Sequence, residues 1–361
     1  MSESKQIQRA GNDSQQIQAN SIIINNGISE ERVRAIIEEQ SLKLRDEYTE
    51  EAYKIAGERV NKFEESIMSR LTKIDDALSS FANPEFQILL HRAQLSAATT
   101  DKTDDYDLLT ELLVCHIQKG NDRKTQAGIN RAVSIISEID NDALCGLTVA
   151  HAFAHFVPVT GVCTKGIQVL NDMFKKLIYQ DLPFNEEWLD HLDVLGAIRL
   201  SSLGKMKKLD EYYSSVLNGY ICVGLAHDSE EFNKAILLLR EARINEKILI
   251  PNELLNGYYR LAITNENGID ALSIAFGGVN IPISQEQKAT LNKIWKMYSN
   301  DLALKKQVSK KFIEIWNSYD ALNKLKSWWD AIPQMFTITQ VGKVLAQTNA
   351  KRCDSSLPDL I

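Results

Sequence analysis

The sequence changes its pattern at Asn26-Gly27, and this change separates two parts of the chain that must fold by different rules. Before it, polar and apolar residues alternate over short stretches, and the triplet Gln-Ile-Gln at 6–8 recurs at 16–18. After it, charged residues at helical spacing dominate. Because Asn-Gly is a strong turn signal, residues 1–27 are predicted to form a short β-like arm ahead of a helical body.

Such an arm exposes backbone donors and acceptors and is too short to bury a core of its own. The simplest partner for it is a second copy of the same chain. We therefore predict a homo-oligomer in which the arm contributes to the interface. The arm residues assigned to this contact are Ile7, Ile17, Ile22, Ile23 and Ile24.

A long amphipathic helical segment, residues 28–82, follows the arm. Ser29 is a suitable helix N-cap, and Thr49 predicts a second helix start. From Ala56 to Leu78 apolar residues recur at nearly heptad spacing, which fits either a coiled coil between copies or packing on the body of the same chain. The interface hypothesis assigns Val60, Phe63, Ile67 and Leu71 to contact with the second copy.

The rest of the chain predicts a mainly α fold, an irregular multi-helix bundle. We divide it into a helical body, 83–330, beginning at the break Asn83-Pro84, and a C-terminal helix and tail, 331–361. A longer loop or small hairpin is expected within 265–282. Helices are predicted near 85–98, 105–118, 122–138, 165–179, 186–202, 207–218, 229–242, 251–262, 284–299, 302–328 and 339–348.

Composition excludes several classes of function. The net charge of −7 argues against broad phosphate contacts, and therefore against nucleic acid as a partner. The five cysteines are scattered and include no CxxC pair, as expected for reduced thiols. The first residues lack the apolar stretch of a signal peptide, so we expect a cytoplasmic protein.

One apolar segment, residues 143–164, contains no charged side chain and is long enough to cross a bilayer. Its histidines, glycines, threonines and Pro158 favour a buried helix that ends before the proline, followed by a turn. A membrane-perturbing effector that releases this segment remains the alternative.

No motif in the chain specifies a reaction. His151 and His155 lie one helical turn apart but lack the Glu of the HExxH motif, and adjacent Cys115 and His116 cannot pair on a helix. Gly277-Gly278 matches no phosphate-binding pattern. We predict no catalytic residue, no cofactor and no metal.

The acidic cluster Glu186, Glu187, Asp190 and Asp193 favours a solvated helix face, with a metal-dependent nuclease as a third hypothesis. Trp295 and Trp316 predict core packing between two C-terminal helices. Trp328 and Trp329 are adjacent, so one of them is predicted to be exposed as a partner contact.

Several segments resemble an uncharacterised family of bacterial helical proteins. They are the arm with Asn26-Gly27-Ile28-Ser29, then Glu51-Ala52, Ala56-Gly57-Glu58-Arg59 and Asn83-Pro84-Glu85-Phe86-Gln87, within residues 6–140. Residues 338–346 are similar to C-terminal segments of abortive-infection-type proteins. The resemblance implies a role in antiphage defence or stress response and defines no catalytic residue. The expected function is therefore non-enzymatic, through contacts with itself and with a phage or host protein.

Overall fold

The computed structural model describes residues 29–45, 49–74, 77–119, 122–276 and 279–360. The predicted arm, residues 1–27, and Gly277-Gly278 lie outside these ranges. Within them the chain is a mainly α multi-helix fold with small sheets, which confirms the predicted fold class.

The helices are α1 (Glu30–Arg45), α2 (Glu50–Leu71), α3 (Pro84–Thr99), α4 (Thr103–Gln118), α5 (Arg123–Ile135), α6 (Asn141–His155), α7 (Cys163–Leu177), α8 (Glu187–Val194), α9 (Leu209–Val216), α10 (Glu230–Glu241), α11 (Gln285–Lys296), α12 (Leu302–Asn317), α13 (Asp320–Ala331) and α14 (Gln340–Cys353). The strands are β1 (Ile198–Ser201), β2 (Leu225–Ala226), β3 (Leu249–Pro251), β4 (Tyr258–Leu261), β5 (Ser273–Phe276), β6 (Val279–Pro282) and β7 (Met335–Ile338).

Helix starts follow the local sequence closely. The Ser29 hydroxyl accepts a hydrogen bond from the Arg32 amide at 3.3 Å. The Asn83 side chain caps α3, and Pro84 occupies the first helical position, where its missing N–H leaves no intrahelical bond unmade. These contacts satisfy donors that a helix end otherwise leaves unpaired.

α14 lies in the middle of the main apolar core, packed against α4, α5 and α6. Residues 344–350 of this helix are buried. β7, which precedes α14, pairs antiparallel with β1, so that Ile198 lies opposite Ile338. At the start of α14, a Cβ on Gly342 would lie 2.0 Å from the carbonyl oxygen of Ala197, so only glycine allows this approach. The C-terminal helix is therefore an integral part of the body.

Residues 225–298 form a second lobe with its own core, and we call the remaining described chain the body. The lobe contains a three-stranded antiparallel sheet in the order β2-β4-β3, the hairpin β5–β6, and the helices α10 and α11. Leu239, Leu261 and Ile294 are among the side chains at its centre, in an apolar cluster separate from that of the body.

Three predicted helices are wrong in extent or type. The segment 251–262 contains β4 instead of a helix, and 186–202 contains α8 followed by β1. Gly196, with φ of +74°, follows the end of α8. The segment 302–328 is two helices, α12 and α13, whereas the hairpin expected within 265–282 is present as β5–β6.

The amphipathic seam of α2 packs on the body of its own chain. Val60, Phe63, Ile67 and Leu71 are each at most 1% exposed, and α2 contacts α3 and α4. Of the two alternatives for this helix, the structure adopts intrachain packing. These four side chains are consequently not accessible to a second copy in this conformation.

The apolar segment 143–164 is divided between α6, a loop and the start of α7. α6 is almost entirely buried and ends at His155, ahead of Pro158, as the sequence favoured. Among the described residues, no helix combines the length and the apolar character needed to cross a membrane.

Candidate functional site: the joint between the body and the second lobe

The chain enters the second lobe after Gly224 and leaves it before Ser299, and these two residues are hydrogen-bonded to each other. The Ser299 amide donates to the Gly224 carbonyl oxygen at 3.0 Å. Gly224 has a φ of +83°, and a Cβ there would lie 2.1 Å from the carbonyl oxygen of Tyr259. Glycine is therefore required at the point where the two ends of the lobe meet β4.

Arg260 extends from β4 into the body and is completely buried. Its Nη1 donates to the carbonyl oxygens of Gly161 at 3.0 Å and Gly219 at 3.2 Å. Its Nη2 donates to Glu253 Oε2 at 2.6 Å, and the guanidinium lies 5.4 Å from the centre of the Tyr220 ring. Since a buried charge is tolerated only when it is paired and hydrogen-bonded, Arg260 ties two body loops to the second lobe.

The loop after α6, residues 156–162, is held by the same joint. Thr264 Oγ1 donates to the Pro158 carbonyl oxygen at 2.7 Å, and the Tyr220 hydroxyl donates to the Thr160 carbonyl oxygen. A Cβ on Gly161 would lie 2.0 Å from the carbonyl oxygen of Ala262, so the two backbones touch directly. These contacts fix the position of the loop.

Two valines of this fixed loop extend into solvent. Val159 is fully exposed and Val157 is 41% exposed, whereas Pro158 between them is buried. We call Val157 and Val159 the valine tip. Apolar side chains presented on a loop held by a rigid scaffold are typical of a contact with another protein.

The thiols around the joint are not poised as nucleophiles. Burial raises the pKa of Cys163 to about 12 and that of Cys222 to about 12, although the nearby charge of Arg260 acts in the opposite direction. At neutral pH both thiols are therefore protonated, and the thiolate is the reactive form. They behave as small apolar side chains of the joint.

His151 and His155 stack on each other, with ring centroids 4.4 Å apart. His151 is buried and its Nε2 lies 3.2 Å from Gln347 Oε1 of α14, whereas His155 is exposed. Burial, together with the neighbouring His155, lowers the pKa of His151 to about 4. The pair therefore belongs to the packing of α6 on α14, with a neutral imidazole inside.

The carboxylates of the nuclease hypothesis lie at the other end of α6. His191 Nε2 accepts a hydrogen bond from the Asp140 amide at 3.1 Å, which places α8 beside the start of α6. His151 is eleven residues further along this helix, a distance of about 16 Å. Exposed Glu186, Glu187 and Asp190 therefore do not converge with the histidine pair, and Asp193 instead accepts from the Leu200 amide.

Cys115 and His116 also serve packing. Burial raises the pKa of the Cys115 thiol and lowers the pKa of His116, so both are neutral at pH 7. Within the part of the chain that the structure describes, no group of three or more His, Cys, Asp or Glu side chains is arranged to hold a metal ion.

The tryptophan predictions require two corrections. Trp328 and Trp329 are both buried, because α13 has neighbours on two sides: Trp328 Nε1 donates to the Pro183 carbonyl oxygen and Trp329 Nε1 to that of Lys207, each at 2.9 Å. Neither is an exposed partner contact. Trp316 belongs to the body core and Trp295 to the cluster of the second lobe, so they do not pack together.

The structure shows none of the predicted interface residues on an accessible surface. Ile7, Ile17, Ile22, Ile23 and Ile24 lie outside the described residues, and the seam of α2 is buried. The sequence reading missed Arg260, Thr264 and the valine tip. The sequence does contain a signal for Arg260, namely a single charge within the apolar run of 258–263, but the helix predicted for 251–262 hides its role.

The fold and the joint define a mainly α protein that carries a small lobe of helices and antiparallel strands. A family model described as ":-like" matches residues 9–360, and the chain belongs to that family. No curated protein and no solved structure matches the chain.

Proposed function

We propose that the protein is a homo-oligomeric, non-enzymatic component of bacterial antiphage defence or stress response that acts in the cytoplasm through protein–protein contacts. The observation that carries the contact role is the valine tip, in which two apolar side chains are exposed on a loop that Arg260, Thr264 and Tyr220 hold in place. The defence role is supported by the resemblance within residues 6–140.

A fixed apolar tip favours binding for a physical reason. A flexible loop must lose conformational entropy when it binds, whereas a loop already held in one conformation loses less. Burying a valine removes apolar surface from water at no polar cost. A phage or host protein with a complementary apolar depression is the proposed partner of this surface.

The contact role is tested by replacing Val159 with Asp and measuring phage plating on bacteria that express the variant. We expect loss of protection with unchanged thermal stability, because the side chain makes no buried contact. Val169→Asp is the matched control, since Val169 is also exposed, at 53%, but lies on α7 outside the tip. Full protection by Val159→Asp would reject the role of the tip.

The self-association role is tested separately by deleting residues 1–27 and measuring the molar mass by light scattering. We expect a shift to the monomer mass, because the arm is proposed to supply the contact between copies. An unchanged oligomer would reject that assignment without affecting the test of the valine tip.

A further inference from the structure

A cleft of about 600 Å³ lies between the body and the second lobe. The second lobe contributes Trp295 and Lys296 at the end of α11, and the body contributes Lys305 of α12 and Asn218 of the loop after α9. Ligand sites occur preferentially at such junctions, and this volume suits a ligand the size of a nucleotide.

The floor of the cleft is fixed by the second lobe. Cys222 and Val223 line the floor, and their carbonyl oxygens accept hydrogen bonds from Asn252 Nδ2 at 2.8 Å and 3.0 Å. The loop that bears them also accepts from Arg260 through the Gly219 carbonyl. A ligand would therefore enter a preformed site and would not have to order this loop.

The cleft has an excess of positive charge in a protein whose net charge is −7. Lys296 and Lys305 line it together with a single carboxylate, Glu266. The Lys305 ammonium is positioned by Asn300, whose Oδ1 lies 2.9 Å away, and Lys296 has no ion pair among the described residues. Two ammonium groups that line one cleft, one from the second lobe and one from the body, favour a ligand with negatively charged oxygens.

An aromatic surface lies beside these charges. Trp295 is half-buried, with its ring 4.8 Å from that of Tyr298, and both residues line the cleft. The contact with Tyr298 orients the indole. Flat rings of ligands stack on such a surface, and the interaction tolerates any base because every base has a π face.

We propose that this cleft binds a nucleoside phosphate, with the phosphate between Lys296 and Lys305 and the base on Trp295. Inorganic phosphate alone would use the lysines and leave the indole and most of the volume unused. A ligand that reaches from α11 to α12 would contact the body and the second lobe at the same time.

The test uses the full-length protein and isothermal titration calorimetry with AMP, ATP, adenosine and inorganic phosphate. We expect saturable binding of AMP and ATP, and weaker binding of adenosine and of phosphate, because each of these supplies only half of the contacts. Lys296→Ala and Lys305→Ala should each weaken AMP binding by about tenfold, the usual effect of losing one charge-assisted hydrogen bond.

Lys293→Ala and Lys306→Ala are the matched controls, because they remove exposed lysines from the same two helices outside the cleft. They should leave AMP binding unchanged. Trp295→Leu should remove the preference for AMP over phosphate. If this variant does not fold, the lysine variants, whose side chains lie at the surface, still decide the question.

Three results would overturn the proposal. The first is the absence of saturable binding of AMP and ATP. The second is an equal loss of affinity in the control lysine variants, which would indicate diffuse attraction of anions. The third is a Trp295→Leu protein that folds and keeps its full preference for AMP over phosphate.

Discussion

The core of the body and the joint to the second lobe are stabilised by different forces. Around α14 many apolar side chains, such as Leu345 and Leu147, are completely buried, and a few buried polar side chains, such as Asn349, hydrogen-bond to other side chains. At the joint, a buried guanidinium and hydroxyl bind backbone carbonyls, and glycines allow backbones to touch. Apolar cores tolerate substitutions of similar volume, whereas each donor of a polar contact is specific. Substitutions that conserve side-chain volume should therefore affect the joint more than the core.

The sharpest test of this difference is Arg260→Met. Removing the guanidinium leaves Glu253 and the carbonyls of Gly161 and Gly219 without their donor, so the free energy of unfolding should fall by about 3–5 kcal/mol, the usual cost of breaking a buried pair. Urea denaturation measures it, and hydrogen exchange should show faster exchange in residues 156–162. Arg240→Met, which breaks an exposed pair with Glu246, is the control and should change little. Equal effects of both variants would mean that the buried contacts of Arg260 stabilise the joint no more than an exposed ion pair does.

His151 is one of the polar side chains buried in the body core, and its effect on stability depends on pH. The folded-state pKa of His151 is lowered from 6.5 to about 4, so the folded protein binds fewer protons than the unfolded chain between these values. The contribution of His151 to the free energy of unfolding is complete above pH 6.5. It is lost as the pH falls toward 4, so that the free energy of unfolding decreases by about 3 kcal/mol in total.

The measurement is the difference in unfolding free energy between pH 7 and pH 4.5 for the native chain, His151→Gln and His155→Gln. His151→Gln should flatten the pH dependence. His155→Gln should largely retain it, because His155 is exposed. A native chain whose stability does not fall on acidification would contradict the burial of a neutral His151.

The smallest expected effects come from adding one methyl group at each of two glycines, Gly161 at the joint and Gly57 in α2. A Cβ at Gly161 would lie 2.0 Å from a backbone oxygen, which has no room to move, so Gly161→Ala should cost about 1–3 kcal/mol. Gly57 in α2 has nothing within 4 Å of its Cβ position, so Gly57→Ala should stabilise the protein by up to about 1 kcal/mol. Thermal unfolding of both variants decides the prediction. A neutral Gly161→Ala would mean that the backbones at the joint separate easily.

The same contrast explains how far the sequence predicts the structure. The helices of the body, such as α3 behind Asn83-Pro84, follow from local capping and periodicity. The strand β4 did not follow, because its residues are apolar on both faces apart from Arg260, and the role of this charge depends on loops that lie about 40 and 100 residues away in sequence. The burial of both Trp328 and Trp329 likewise depends on neighbours from distant segments.

The hydrogen bond between Gly224 and Ser299 also shows that the two ends of the second lobe are adjacent in space. Because its two ends are adjacent, the second lobe is an insertion, and joining residues 223 and 300 by a short linker would leave the path of the body uninterrupted. The lobe nevertheless stabilises the body. Its side chains Arg260, Asn252 and Thr264 donate hydrogen bonds to six carbonyl oxygens of the body, those of Pro158, Thr160, Gly161, Gly219, Cys222 and Val223. A shortened protein would expose these carbonyls to water. The chain of the body could therefore be closed without the lobe, but its backbone carbonyls would lose the hydrogen bonds that the lobe supplies.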